Sequence, residues 1–184
     1  MKNLEKIKPI TSMREIRYSD LKSFRDLVDL SEGQENQEEF LAYNILDIFY
    51  GIKREDAKDL TIEKYNELLH YLGEALKEKP DLDNIIIMDG VTYGLIPNFS
   101  KIKAGELIDM DALLSSNDLI QLMSVLYRPV IGEVNKKGEY LIEPYSEYDY
   151  RFEDIDAYSV ESAMGFFLES FLNLKKISTL SSKE

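Results

Sequence analysis

Residues 84–99 read NIIIMDGVTYGLIPNF, two short runs rich in β-branched and aromatic residues on either side of Asp89-Gly90. Asp-Gly supplies the positive φ of a tight primed turn, so this stretch is expected to fold as a β-hairpin. The segments on both sides have apolar residues at helical spacing. The fold class is accordingly α+β and mainly helical, a helical bundle with a small inserted β-hairpin element.

Upstream, Ser19 or Asp20 is positioned to cap a helix through SFRDLVDL, and SEGQENQ, with Gly33 as breaker, reads as a turn. EEFLAYNILDIFYGI comes next. Wound as a helix, it points Phe40, Leu41, Tyr43, Ile45, Leu46, Ile48, Phe49 and Tyr50 almost all round the axis, leaving a polar stripe at Asn44 and Asp47. Such a helix is expected to be buried, under its neighbours or under another subunit. Gly51 then ends it in the left-handed position that glycine adopts at low cost.

KREDAKDL suits a short helical turn, and Thr61 can cap a helix from Ile62 to about Lys79, stopped by Pro80. Its expected inner face is Ile62, Tyr65, Leu68, Leu69, Leu72 and Leu76. The lone histidine, His70, falls on the other side and is read as a solvated residue rather than a base. Downstream of the hairpin, NDLIQLMSVLYRPV is expected to be a helix from about Asp118 to Tyr127, closed by Pro129. GEVNKKGEYLIEPY reads as a looser hairpin turning at Asn135 to Gly138. A last helix starts near Asp156 or Ser159 and carries Val160, Ala163, Met164, Phe167, Leu168, Phe171 and Leu174 on one face. The expected organisation is a helical part over 1–80 and a hairpin-containing part over 81–184, packed as one compact unit.

Composition excludes several classes of function. The 184 residues contain no cysteine, which removes disulfides, thiolate zinc sites and thiol nucleophiles together. A net charge of −13 argues against binding phosphate backbones, since that needs clustered Lys and Arg, so no nucleic-acid partner is expected. The acidity is uneven: residues 1–80 hold 13 Lys and Arg against 17 Asp and Glu, the remainder 9 against 18. No stretch approaches the ~20 apolar residues of a membrane span, and MKNLEKIKPITSMREIRY lacks the apolar run of a secretory signal. A cytoplasmic protein is expected.

GELIDMDALLSSND, residues 105–118, offers Asp109 and Asp111 as candidate ligands. As a calcium loop beginning at Asp109 it fails, because Leu113, Leu114 and Ile120 stand where a ligand, a glycine and a glutamate are required. The expectation is structural. Asp109 or Asp111 caps one helical turn, and Ser116, Asn117 or Asp118 caps the next. DGVTYG and AGE lack the spacing and the lysine of a phosphate loop, and no serine has the setting of a nucleophile. No cofactor, metal or catalytic residue is assigned, and a carboxylate-dependent hydrolase using Asp109 or Asp111 is the enzymatic alternative.

EPYSEYDYRFEDIDAYS, residues 143–159, combines Tyr145, Tyr148, Tyr150, Phe152 and Tyr158 with six carboxylates and Arg151. Tyrosine buries large area with little loss of entropy, so the run reads either as a partner surface or as a connection packed on the hairpin.

EEFLAYNILDIFYGIKREDAKDLTIEKYNELLHYLGEAL, within residues 36 to 76, resembles the helical core of tailed-bacteriophage tail assembly chaperones. AGELIDMDALL, LMSVLYRPV and the Tyr-Glu-rich run before AMGFF look like an extension found in phage morphogenesis or structural proteins, including those of phages infecting Bacteroidetes-type hosts. The resemblance implies a non-enzymatic protein of the host cytoplasm, or of the virion. Its partners would be the tape-measure protein and tail or connector subunits, with homo-oligomers also among the expectations. Phe40, Tyr43, Phe49 and Tyr50 would then grip an apolar segment, and Tyr145, Tyr148, Tyr150 and Tyr158 would select the partner electrostatically. The alternative within the same setting is a virion ring or head-to-tail connector subunit.

Overall fold

The computed structural model describes residues 4–33, 35–146 and 152–168. The fold is α+β and mainly helical, and it divides into two compact units. Residues 1–79 form the first together with 156–158, which return to it, and residues 80–155 and 159–184 form the second. Among the described residues no helix is long and apolar enough to cross a membrane.

In the first unit, α1 (Tyr18–Ser31), α2 (Gln37–Tyr50), α3 (Arg54–Ala57) and α4 (Ile62–Ala75) follow one another. Thr61 caps α4, its hydroxyl accepting from the Lys64 amide, and Gly51 closes α2 at φ 62°, with its N–H on the Asp47 and Leu46 carbonyls. The cap expected at Ser19 or Asp20 is not formed. The N-cap of α1 is Arg17, without a side-chain cap bond, and Asp20 instead pairs with the Arg17 guanidinium at 2.8 Å. The start is fixed by the returning segment: Arg17 bridges Asp156, and the Ala157 amide donates to the Ile16 carbonyl at 2.7 Å.

One apolar cluster joins Ile10, Met13, Ile16, Leu21, Leu72, Ala75 and Ala157. A second is built on Leu46, Ile52 and Leu68. The inner face of α4 is Lys64, Leu68, Leu72 and Ala75, and the expected Ile62 is 64% exposed. At 100° per residue Ile62 lies roughly 120° round from Leu68, whereas Lys64 lies only about 40° away. The Lys64 stem is therefore buried while its ammonium reaches Glu67 at 2.9 Å. α4 also ends at Ala75, short of Lys79, in a tightened turn where the Lys77 and Glu78 amides donate to Glu74 and Ala75.

The second unit contains a four-stranded antiparallel sheet in sequential order: β1 (Ile85–Met88), β2 (Val91–Leu95), β3 (Tyr127–Ile131) and β4 (Leu141–Ile142). Asp89 and Gly90 form the expected turn with φ of 50° and 77°. The sheet is larger than one hairpin because LYRPV does not continue a helix. α6 (Leu119–Leu126), capped by Asp118, passes directly into β3 at Tyr127. Pro129 lies inside that strand opposite Tyr93. Its missing N–H faces β4, where the Glu143 amide donates to the Pro129 carbonyl, and the Glu143 carbonyl takes Arg128 Nη1 at 3.4 Å in place of the absent N–H.

α5 (Ala104–Ser115) runs unbroken through the stretch in which Asp109 or Asp111 was expected to cap a turn, so both lie in its interior; the cap is at Asp118. Of the apolar residues of α5, Leu113 is buried while Ile108 is 67% exposed. A helix over 157–168, α7, buries Val160, Ala163, Met164 and Phe167. With Leu122, Met123, Val125 and Leu126 of α6 and the Tyr93–Phe152 edge contact at 5.0 Å, these make the core of the second unit. Phe171 and Leu174, expected on the same face of α7, lie outside the described residues.

Candidate functional site

The all-round apolar helix, α2, expected to be buried under its neighbours or under another subunit, is only partly covered within the chain. Leu46 is its one buried residue, 2% exposed, and Phe40 is 44% exposed. Coverage comes from α1 and α3 and from the Leu46 cluster below, which leaves the N-terminal half of the helix open. There Phe40 and Tyr43 line a groove of about 430 Å³ with Glu35, Asn36, Glu39, Asn44, Asp47 and Arg54. The Arg54 guanidinium sits 4.6 Å from the Tyr43 ring centroid and pairs with Glu39 at 3.0 Å, while Lys53 holds Asp47 at 2.7 Å. The groove thus has an aromatic floor and a rim of held charges.

The other two aromatic residues assigned to the same surface point elsewhere. Phe49 meets Phe24 edge-on at 5.5 Å, and Tyr50 donates its hydroxyl to the Leu68 carbonyl at 2.8 Å. Both pack on the core of the first unit. Burial pushes the Tyr50 phenol above its ordinary value of 10.0, offset in part by the bond from the Ile10 amide. Tyr50 lies seven residues beyond Tyr43, about two turns further along nearly the same side of α2, so its position along the helix, next to Leu68, takes it to the core.

The Tyr-rich run is divided between the units. Tyr158 belongs to the first, under the Arg14 guanidinium at 3.8 Å. Tyr145 belongs to the second, where its hydroxyl donates to Asp109 Oδ2 and Arg128 lies 5.8 Å from its ring. Tyr148 and Tyr150 lie outside the described residues. Of the two acids singled out in α5, Asp109 is engaged by Tyr145, while the buried carboxylate of the helix is one not singled out, Glu106, 5% exposed and facing Arg128. Among the described residues there is no group of three or more His, Asp or Glu placed to hold a metal ion.

The chain matches no protein-family model, no curated protein and no solved structure. The geometry of these two places is therefore what bears on function. Glu106 and Arg128 were missed in the sequence because the capped turn expected at Asp109 or Asp111 broke α5. An unbroken α5 places Glu106 and Asp109 three residues apart on one face.

Proposed function

We propose that this chain is a non-enzymatic binding protein of bacteriophage morphogenesis, a tail assembly chaperone in kind, which holds an apolar stretch of a tape-measure protein against α2 and keeps it soluble. The observation that carries this reading is the groove on α2 where Phe40, 44% exposed, and the half-buried Tyr43 lie side by side on a helix whose apolar residues nearly encircle its axis. Leaving aromatic surface in water costs free energy that a partner recovers by covering it, at about 25 cal/mol per Å² of apolar area. The resemblance of residues 36–76 to tail assembly chaperones supports the same function.

The test is co-expression with a long tape-measure-type protein, followed by affinity capture. Wild-type chain is expected to co-purify with it. Phe40→Ser/Tyr43→Ser is expected to lose it while keeping its unfolding midpoint. Capture that survives the double substitution would remove α2 from the interface. Stoichiometric copies of the chain in purified mature particles would make it a ring or connector subunit instead.

A further inference from the structure

A second cavity, of about 240 Å³, opens within the second unit between the turn before α5 and the end of the sheet. Its charge stands out in this chain, which holds 35 Asp and Glu against 22 Lys and Arg. Lys101, Lys103 and Arg128 all line it, against the carboxylates of Glu106 and Glu143. Neither Lys101 nor Lys103 has an ion-pair partner among the described residues, which is common to most lysines of the chain; what marks these two is that they line one cavity together with Arg128.

Arg128 is also under-satisfied. Its side chain is 11% exposed, and its Nη1 contacts are long, 3.4 Å to the Glu143 carbonyl and 3.5 Å to Glu106 Oε1. Its Nε has no hydrogen-bond partner among the described residues. A guanidinium offers five N–H donors, and a buried one left this loosely held is costly unless something else accepts from it. The rest of the wall is apolar, with Ile96, Ile102 and Ile142 among it.

We propose that this cavity binds a small organic anion, its carboxylate or phosphate group held by Arg128, Lys101 and Lys103 and its compact apolar body set against Ile102 and Ile142. Three cations against two carboxylates leave one net positive charge, which attracts an anion. The volume limits the ligand to a few heavy atoms beyond its charged group. Arg128 supplies a planar fork, and the two lysines close the rim as mobile point charges. The cavity lies wholly within the second unit, so this site is independent of the groove on α2.

Titration of the full chain, followed by amide NMR, separates the alternatives. The probes are isobutyrate, isopropyl phosphate and inorganic phosphate, at constant ionic strength. A saturable shift of the Lys101–Glu106 amides with isobutyrate or isopropyl phosphate is expected, and the tighter of the two identifies the headgroup. Lys101→Ala/Lys103→Ala is expected to weaken binding by about tenfold or more, with its unliganded melting temperature unchanged. Because both lysines are exposed, this variant keeps the fold that a substitution of the buried Arg128 would put at risk. No saturable shift with any probe would overturn the proposal. So would inorganic phosphate binding as well as the organic anions, or a double variant that binds as tightly as wild type.

Discussion

The ring of Tyr140 fills the space that a β-carbon on Gly94 would occupy: such an atom would lie 2.3 Å from Cε2 and 2.6 Å from Cδ2. The ring cannot swing away freely, because its hydroxyl, 2.9 Å from both the Asn84 and Leu95 carbonyls, is shared between them. Gly94→Ala is therefore expected to cost about 1 to 3 kcal/mol as an overpacked site, more than the roughly 1 kcal/mol of Tyr140→Phe, which removes only the hydroxyl. Gly94→Ala/Tyr140→Ala should cost less than its two single substitutions added together. Urea midpoints of wild type, Gly94→Ala, Tyr140→Phe, Tyr140→Ala and the double variant measure this, and a Gly94→Ala midpoint equal to wild type would show that the ring yields without loss.

The two faces of α2 should respond unequally to truncation. Leu46→Ala removes a side chain that is 2% exposed and central to its cluster. A loss of about 2 to 5 kcal/mol is expected. Phe40→Ser, at a position 44% exposed, should cost under about 1 kcal/mol. Equal losses would mean that Phe40 is part of the fold rather than available to a partner.

Tyr50 predicts an alkaline limit to the stability of the first unit. Its phenol is raised above 10.0 by burial, and only the neutral form can donate to the Leu68 carbonyl. The native state thus holds the proton more tightly than the unfolded chain does. Its contribution is complete below the unfolded value near pH 10 and is lost as pH rises through the higher native value. Melting temperature should fall across this range, less steeply in Tyr50→Phe. A residual slope is expected from Tyr140, whose phenol burial also raises. Identical pH profiles for wild type and Tyr50→Phe would refute the assignment.

The Glu106–Arg128 pair should prove more costly to halve than to remove. Glu106 is buried and Arg128 largely so, their side chains 6% and 11% exposed. Arg128→Met leaves a carboxylate buried without its cation, and a loss of about 3 to 5 kcal/mol is expected. Arg128→Met/Glu106→Leu should regain most of it, as read from denaturant unfolding. A double variant no more stable than Arg128→Met would mean that the guanidinium acts through Glu143 and the strand instead.

What the sequence disclosed was whatever local chemistry decides. Asp89-Gly90, Thr61 and Gly51 each impose a turn or a cap through their own side chain or backbone freedom and stand where the sequence places them, and of the three cap candidates Ser116, Asn117 and Asp118 it is Asp118 that caps α6. Non-local competition decided the rest. Pro129 suits a helix stop by its local chemistry, yet it sits in a strand, where Arg128 Nη1 reaches the Glu143 carbonyl that a proline N–H cannot. The inward face of α4 turned on a difference of two residues, Ile62 against Lys64, that apolar spacing alone does not resolve. Phe40 and Tyr43 were legible as a surface, but the arginine-centred cavity was not. Its walls come from residues 96–103, from α5, from β3, and from the C-terminal end of β4 with residues 143–145, which only the folded sheet brings together.

The direct passage from α6 into β3, Leu126 to Tyr127 without an intervening residue, has an evolutionary consequence. One inserted residue there would flip Tyr127, Arg128 and Pro129 to the opposite faces of the sheet, exposing a buried tyrosine and moving the guanidinium away from Glu106. Turn residues 132–139 carry no such constraint, since extra length there only enlarges a loop. Among descendants of this gene, length should drift at the second position and stay frozen at the first.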